Sequence, residues 1–304
     1  MHDTLVATNT IRTVKGVAQH QILLERFVLD DASAAVLDNP ATLWVHSDTP
    51  YSLPEPLASK SEYLLTRRLG RKTMTNETTL SLNARPASVG ALCSTSAYYR
   101  DQIVTHEQPD QVIRHPDVSG LWLDADGELL ELNVSQFPNN LGSSVLLICR
   151  GSHVVIGRRS EASLISPGTW DATSSGSFRL PDRGMYISAR DVVVGEALRE
   201  LSEETQLVSE RIVGAVVAAF TRDLRRGGHP DVHVLARSDA RAAELHAADD
   251  LVDMAVLGPV RSRHELAEVL RSCDNASANV QLWSALAALS APHLDTAFNT
   301  LLWS

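Results

Sequence analysis

The chain has 304 residues, 44% of them hydrophobic and 21% charged, with 27 basic and 37 acidic side chains and a formal net charge of −10. That is enough chain for one large domain or two medium ones, with the composition of a folded globular protein rather than a disordered one. The acidic balance argues against a nucleic-acid backbone as main partner, and no run approaches the roughly eighteen apolar residues of a membrane-spanning helix. The first thirty residues lack the basic, apolar and small-residue layout of a signal peptide. Cys93, Cys149 and Cys273 stand alone, which excludes a disulfide framework or a C-x-x-C zinc knuckle and fits a reducing cytosol.

In chain order, residues 17–29 read as either a short helix or a buried strand, and periodicity does not decide between them. Residues 41–47 read as a strand, and Pro50, Pro54 and Pro56 then break the chain into a loop. Residues 61–70 look helical up to Gly70, with Arg67, Arg68, Arg71 and Lys72 as a solvated basic end. Residues 78–82 alternate as a strand, and 94–103 suit a helix. Residues 120–134 are the clearest hairpin: Leu121 and Leu123, an Asp-Ala-Asp-Gly turn, then Leu130, Leu132 and Val134. The turn-rich segment Gln136–Asn140 marks the expected boundary between an N-terminal αβ domain (1–140), a scaffold or substrate cap, and a second domain (141–304).

The second half opens with two apolar strands, 144–149 and 154–159, the latter ending in Arg158-Arg159-Ser160. Either arginine could grip phosphate oxygens bidentately, but alternation lets only one of them face a site. Residues 170–178 form a loop containing Ser175-Gly176 and the aromatics Trp170 and Phe178, which together with Tyr186 are the better candidates to stack on a base, although core packing is the commoner role for each.

Residues 191–207 then favour helix. Val194, Ala197, Leu198 and Leu201 make its buried face, and Glu196, Glu200, Glu203 and Glu204 line up on the opposite side. Each like-charge neighbour costs about 0.2–0.5 kcal/mol, so such a helix either faces open water or collects a cation. Mg²⁺ or Mn²⁺ is the hard cation that suits clustered carboxylates, and it usually brings substrate phosphates with it.

Residues 212–221 and 231–237 follow as strands joined through Gly227-Gly228. His229 and His233, four apart on strands, do not form a metal face and read as surface or core histidines. Ser262 to Glu265 has capping-box form ahead of Leu266, Val269 and Leu270, and a second C-terminal helix is expected over 279–289.

The run Arg199-Glu200-Leu201-Ser202-Glu203-Glu204-Thr205-Gln206-Leu207 resembles the helix of the Nudix hydrolases, whose box reads G-x5-E-x7-R-E-U-x-E-E-x-G-U with U a bulky aliphatic. Ser175-Gly176 stands where that family usually has Gly-Gly, and Gln206 replaces the last Gly. From Gly176 to Arg199 is 23 positions rather than 14, so the loop carries about nine extra residues. Leu141-Gly142 and Arg158-Arg159-Ser160 faintly resemble the nucleotide-sugar diphosphatase branch.

The resemblance implies an α/β (α+β) fold, a Nudix-type αβα sandwich, and metal-assisted hydrolysis of a diphosphate linked to a nucleoside or similar group. In that reading Glu200, Glu203 and Glu204 hold Mg²⁺ or Mn²⁺. Arg199 orients Glu203, the first choice of general base, with Glu196, Asp223 and Asp231 in reserve. Arg158, Arg159, Gly176 and Phe178 bind substrate. The expected partner is a small-molecule diphosphate, with neither nucleic acid nor membrane, and homodimerisation is left open. Two alternatives remain: a Nudix-fold sensor that binds without cleaving, and a prenyl-diphosphate isomerase, which needs a catalytic cysteine that only Cys149 could supply.

Overall fold

The computed structural model describes residues 134–160, 167–179, 188–223, 228–248 and 251–271, together with short stretches of the first 132 residues, residues 161 and 163, and Leu301. The expected elements at 41–47, 61–70 and 279–289, almost all of 94–103, and residues 184–187 of the loop insert expected over 184–192, Tyr186 among them, lie outside those residues, whereas Ser188 to Val192 of that insert cap and begin a helix.

The strands are β1 (Phe27–Leu29), the two-residue pairs β2 (Thr78–Thr79) with β3 (Ala87–Ser88) and β4 (Ile103–Val104) with β5 (Val112–Ile113), then β6 (Gly142–Cys149), β7 (His153–Arg159), β8 (Trp170–Asp171), β9 (Ser174–Ser177), β10 (Ile212–Asp223), β11 (His229–Ser238) and β12 (Leu251–Leu257). Two helices accompany the main sheet, α1 (Ala189–Thr205) and α2 (Arg263–Arg271). The sheet runs β1-β10-β11-β6-β7-β12, with β8 paired to β7 and β9 to β6. Among the described residues only β11 and β6 are parallel partners. β1, part of the segment whose type the sequence left undecided, pairs antiparallel with the far end of β10, Phe27 opposite Asp223.

The centre of the sheet is apolar on both faces because both are covered. Val145, Leu147 and Cys149 of β6 pack with Ala189, Val193, Ala197 and Leu201 of α1, while Leu146 and Ile148 pack with Leu266, Ala267 and Leu270 of α2. Strand alternation sends successive residues into the two layers, and the result is an αβα sandwich. That layering explains why residues 144–149 read as an unbroken hydrophobic run.

β6 and β7 stay paired only from Leu147–Val155 to Cys149–His153, and beyond that β8 and β9 fill the fork between them. Thr173 sits in the fork. Its hydroxyl donates to the Val155 carbonyl and accepts from the Leu147 N–H at 2.8 Å, so one side chain satisfies both strands where they part. β8, β9 and β12 went unread in the sequence; β8 has only two residues, and β9 is short and rich in serine, so neither shows a strand pattern.

The expected hairpin over 120–134 is reduced to a single antiparallel bridge, Leu123 to Leu129, with Asp124 Oδ1 accepting from Asp126 N at 2.9 Å in the turn. Trp122 and Leu123 are buried, whereas Val134 is exposed, so the alternation does not carry to the end of the segment.

Ser188 caps α1, accepting from Asp191 N at 3.1 Å, and Gln206 ends it with φ 58, donating its N–H to the Ser202 carbonyl. The box has glycine at this position because the left-handed conformation costs a side-chain-bearing residue about 1–2 kcal/mol. Gln206 adopts that conformation all the same, and the helix stop is kept. At α2, Ser262 accepts from Glu265 N at 3.1 Å, and Glu265 reaches back to Arg261 N, one residue beyond the usual capping-box donor.

Candidate active site

The acid side of α1 is only partly open to water: Glu203 is exposed, Glu196 and Glu200 are partly buried, and Glu204 is buried. Val193, Ala197 and Leu201 form the buried stripe, and Glu204 continues it at 2% exposure. Glu204 packs against β9, where its Oε2 accepts from Ser175 N at 2.9 Å. One turn earlier, Glu200 lies on Gly176. A methyl group there would stand 2.7 Å from Glu200 Oε1 and closer still to its carboxyl carbon and Oε2.

What requires glycine at 176 is therefore the approach of a carboxylate, and its φ lies in the ordinary range. Gly176→Ala is expected to cost about 1–3 kcal/mol in a urea melt, as overpacking does. Adding Glu200→Ala in the same chain should recover most of that loss; a single variant as stable as the unaltered protein would contradict the packing described.

Two guanidinium groups thread the row. Arg199 donates from Nε to Glu196 Oε2 at 3.1 Å and from Nη1 to Glu203 Oε2 at 2.8 Å, and it holds Glu200 through Nη2. Arg179, just past β9, donates through Nη2 to Glu203 Oε1 at 3.1 Å, while its backbone N–H donates to Glu196 Oε2 at 2.8 Å. Arg179 is a residue that sequence reasoning missed. It lies 24 positions from Glu203, across a loop that gives no periodic signal.

Burial pushes the Glu204 carboxyl up to about 8, against the Ser175 N–H and the charge of Arg159 and with help from the charges of Glu200 and Asp171. Burial raises Glu200 as well, opposed by Arg199 and reinforced by Glu203. Desolvation opposes the charge on Arg199, yet Glu200 and Glu196 hold its pKa above the ordinary arginine value.

Among the described residues, no three His, Cys, Asp or Glu side chains stand arranged to hold a metal ion, because Glu203 is turned to the two arginines. The donor set nevertheless fits a hard divalent cation. The charge of Glu200 helps to raise Glu204, Glu204 is buried and Glu200 largely so, and Glu196, Glu200 and Glu203 share two guanidinium groups.

The remaining expected substrate residues divide. Arg158 is half-exposed, hydrogen-bonded to the Gly168 carbonyl and 3.9 Å from Glu161. Arg159 is not offered to a ligand. It is buried, with Nη1 donating to Asp171 Oδ2 at 3.2 Å and to Ser175 Oγ at 2.6 Å. Phe178 corrects the stacking expectation outright: it is completely buried among the apolar side chains that join α1 to the sheet. Trp170 is half-buried against the α2-side core. Cys149 is buried, and desolvation, with the Glu244 charge adding, lifts its thiol to about 11, which removes the nucleophile that an isomerase would need.

The reserve bases Asp223 and Asp231 are buried on β10 and β11, with Asp231 Oδ1 3.5 Å from His229 Nε2. His229 and His233 are core histidines, not surface ones. His233 Nε2 lies 2.8 Å from Thr221 Oγ1, and burial depresses the imidazole to about 4 despite Asp231 and Asp171. A depressed histidine contributes stability that is present above its unfolded value of 6.5 and lost as pH falls through 4. Between those limits the unaltered protein should lose up to about 1.4 kcal/mol per pH unit more than His233→Gln, read from urea midpoints. Parallel pH profiles would contradict this.

No family model and no curated protein matches the chain. Solved structures that match are mostly Nudix hydrolases. A bifunctional NMN adenylyltransferase/ADP-ribose pyrophosphatase of Francisella tularensis, solved with AMP and a Mn ion, is 21% identical over 40% of this chain and 34% of its own, with a TM-score of 0.29. A Nudix hydrolase of M. smegmatis is 15% identical over 54% of this chain and 88% of its own, at a TM-score of 0.34. A MutT protein of Methanosarcina mazei is 17% identical over 50% and 92%, at 0.33. The chain thus spans about a third of the length of the Francisella enzyme.

Proposed function

We propose that the chain is a divalent-metal-dependent pyrophosphohydrolase, cleaving the phosphoanhydride of a nucleoside diphosphate joined to another group, a nucleotide sugar among the candidates. The observation that carries the reading is the pairing of α1 with β9. Two carboxylates, Glu200 and Glu204, are held out of water, one over a glycine with no room for a Cβ and one on a backbone N–H. Burying charge this way is costly unless something positive occupies it. Glu200, Glu203 and Glu204 would hold Mg²⁺ or Mn²⁺, and the bound ion would neutralise the diphosphate and lower the pKa of a water.

Arg199 fixes three of the glutamates relative to one another and so sets their spacing. Glu203 is the most exposed of the three ligands and is the base assigned to the attacking water. Arg158, half-open to solvent, is the arginine assigned to the substrate. The test is a phosphate-release screen with Mg²⁺ and Mn²⁺ over nucleoside diphosphates, nucleotide sugars, dinucleoside polyphosphates and prenyl diphosphates. Release from one class, abolished by chelation, is expected; no release with any of them would defeat the reading.

A second reading, a nucleotide sensor that binds without cleaving, draws on the ion pairs. Arg199 and Arg179 already supply countercharge to Glu203, which eases the like-charge repulsion without metal. Stabilisation by a nucleotide in thermal-shift titrations, with no phosphate released, would favour it.

A further inference from the structure

The two arginines on the carboxylate row are not equivalent. Arg199 belongs to α1, contacts Glu196, Glu200 and Glu203, and points Nη2 to the Ser177 carbonyl at 3.5 Å. Its place follows from helix geometry, since residues three and four apart are neighbours. Arg179 comes from the strand side. Its backbone is fixed twice, by its own N–H on Glu196 and by the buried ring of Phe178 just before it.

Its guanidinium meets the row at one residue only, Glu203, through a single nitrogen at 3.1 and 3.4 Å. Both partners are half-open to water, with side-chain exposures of 53% and 39%. An ion pair so exposed is weak. Arg179 therefore occupies a ligand that the other arginine also serves, by a contact that is easily broken, on a backbone that need not move when it breaks.

Building on the metal-dependent reading, we infer that Arg179 is a displaceable counter-ion. It holds Glu203 while that carboxylate lacks a metal, a divalent cation takes the carboxylate from it, and the freed guanidinium then binds the phosphate oxygens of the substrate. A hard cation prefers carboxylate oxygen, whereas the planar guanidinium fork matches phosphate as well as it matches carboxylate, so the exchange leaves each cation with a suitable anion. It also couples the two events: metal loading is what makes the arginine available to a diphosphate.

The experiment measures binding, not turnover. Mn²⁺ is titrated into the full chain and followed by the electron-spin resonance of the free ion, for the unaltered protein, Arg179→Gln and Arg179→Lys. Methylene diphosphonate, which cannot be hydrolysed, is then titrated into each Mn²⁺-loaded protein by calorimetry. Arg179→Gln removes the competitor and should tighten Mn²⁺ by about fivefold. It should also weaken the diphosphonate by at least about tenfold, the effect of losing a hydrogen bond to a charged group.

Arg179→Lys keeps the charge without the fork, so its Mn²⁺ affinity should stay near that of the unaltered protein while its diphosphonate affinity falls. A merely structural arginine would not move the two affinities in opposite directions. If Arg179→Gln leaves either affinity unchanged, the inference is wrong while the metal site stands. If the unaltered protein takes up no Mn²⁺, both this inference and the metal-dependent reading fail.

Discussion

Glu204→Gln is expected to lower metal-dependent turnover at least ~100-fold, since losing even an outer partner of a metal ligand costs up to about that much, and yet to make the metal-free protein harder to unfold above pH 8. The two effects have one cause. Burial raises the Glu204 carboxyl from 4.5 to about 8, so the folded chain keeps a proton that the unfolded chain loses. A group raised in this way contributes stability that is fully present below 4.5 and lost as pH climbs through 8. Glutamine keeps the shape and can still accept from Ser175 N, but it carries no charge to desolvate. Melts in chelator at pH 5.5 and pH 8.5 should therefore show the unaltered protein weakening at the higher pH and Glu204→Gln holding steady. A variant with full turnover would mean that Glu204 is only a packing residue, and a variant weakened at both pH values would contradict the electrostatic argument.

Arg159→Met should cost about 3–5 kcal/mol, a large share of the stability of any domain, because it strands a buried Asp171 without its cation. Asp171 is 1% exposed, and although Ala172 N donates to its Oδ1 at 2.7 Å, the guanidinium on Oδ2 is its charge partner. Asp171→Asn on the same chain should return much of the loss, since the pair acts as a unit and its members are not additive. Arg158→Met, one residue away and half-exposed, should stay within about 0.5 kcal/mol. Urea unfolding of the four proteins separates the two arginines. Equal, small effects at both positions would contradict the burial of Arg159.

That contrast shows how far the sequence could be read. Alternation established that only one of Arg158 and Arg159 could face a site, but not which. The answer depends on β8, a two-residue strand that brings Asp171 beneath Arg159 from twelve residues away. The helix was legible because its period is local, and the apolar runs of β6, β7, β10 and β11 were legible because both sheet faces are covered. The orientation of the acids was misread for a similar reason. Charge suggests an exposed face, yet Glu204 takes the next turn of the stripe after Leu201, and only the β9 backbone, supplied from outside the helix, makes that tolerable.

Phe178 was misjudged because a loop aromatic looks available until the strand before it is seen to seat it in the core. Arg179 was invisible for want of any sequence relation to Glu203. Gly176 was assigned to the substrate, whereas the neighbour that leaves no room for a Cβ there is Glu200.

The whole interpretation turns on what neutralises the carboxylates that α1 presses against β9. Crystals soaked in Mn²⁺ and measured at the manganese edge address this directly. The expected result is an anomalous peak bounded by Glu200, Glu203 and Glu204, with Glu203 turned away from Arg179. Those side chains still locked to Arg199 and Arg179 at saturating Mn²⁺, with no peak beside them, would contradict it.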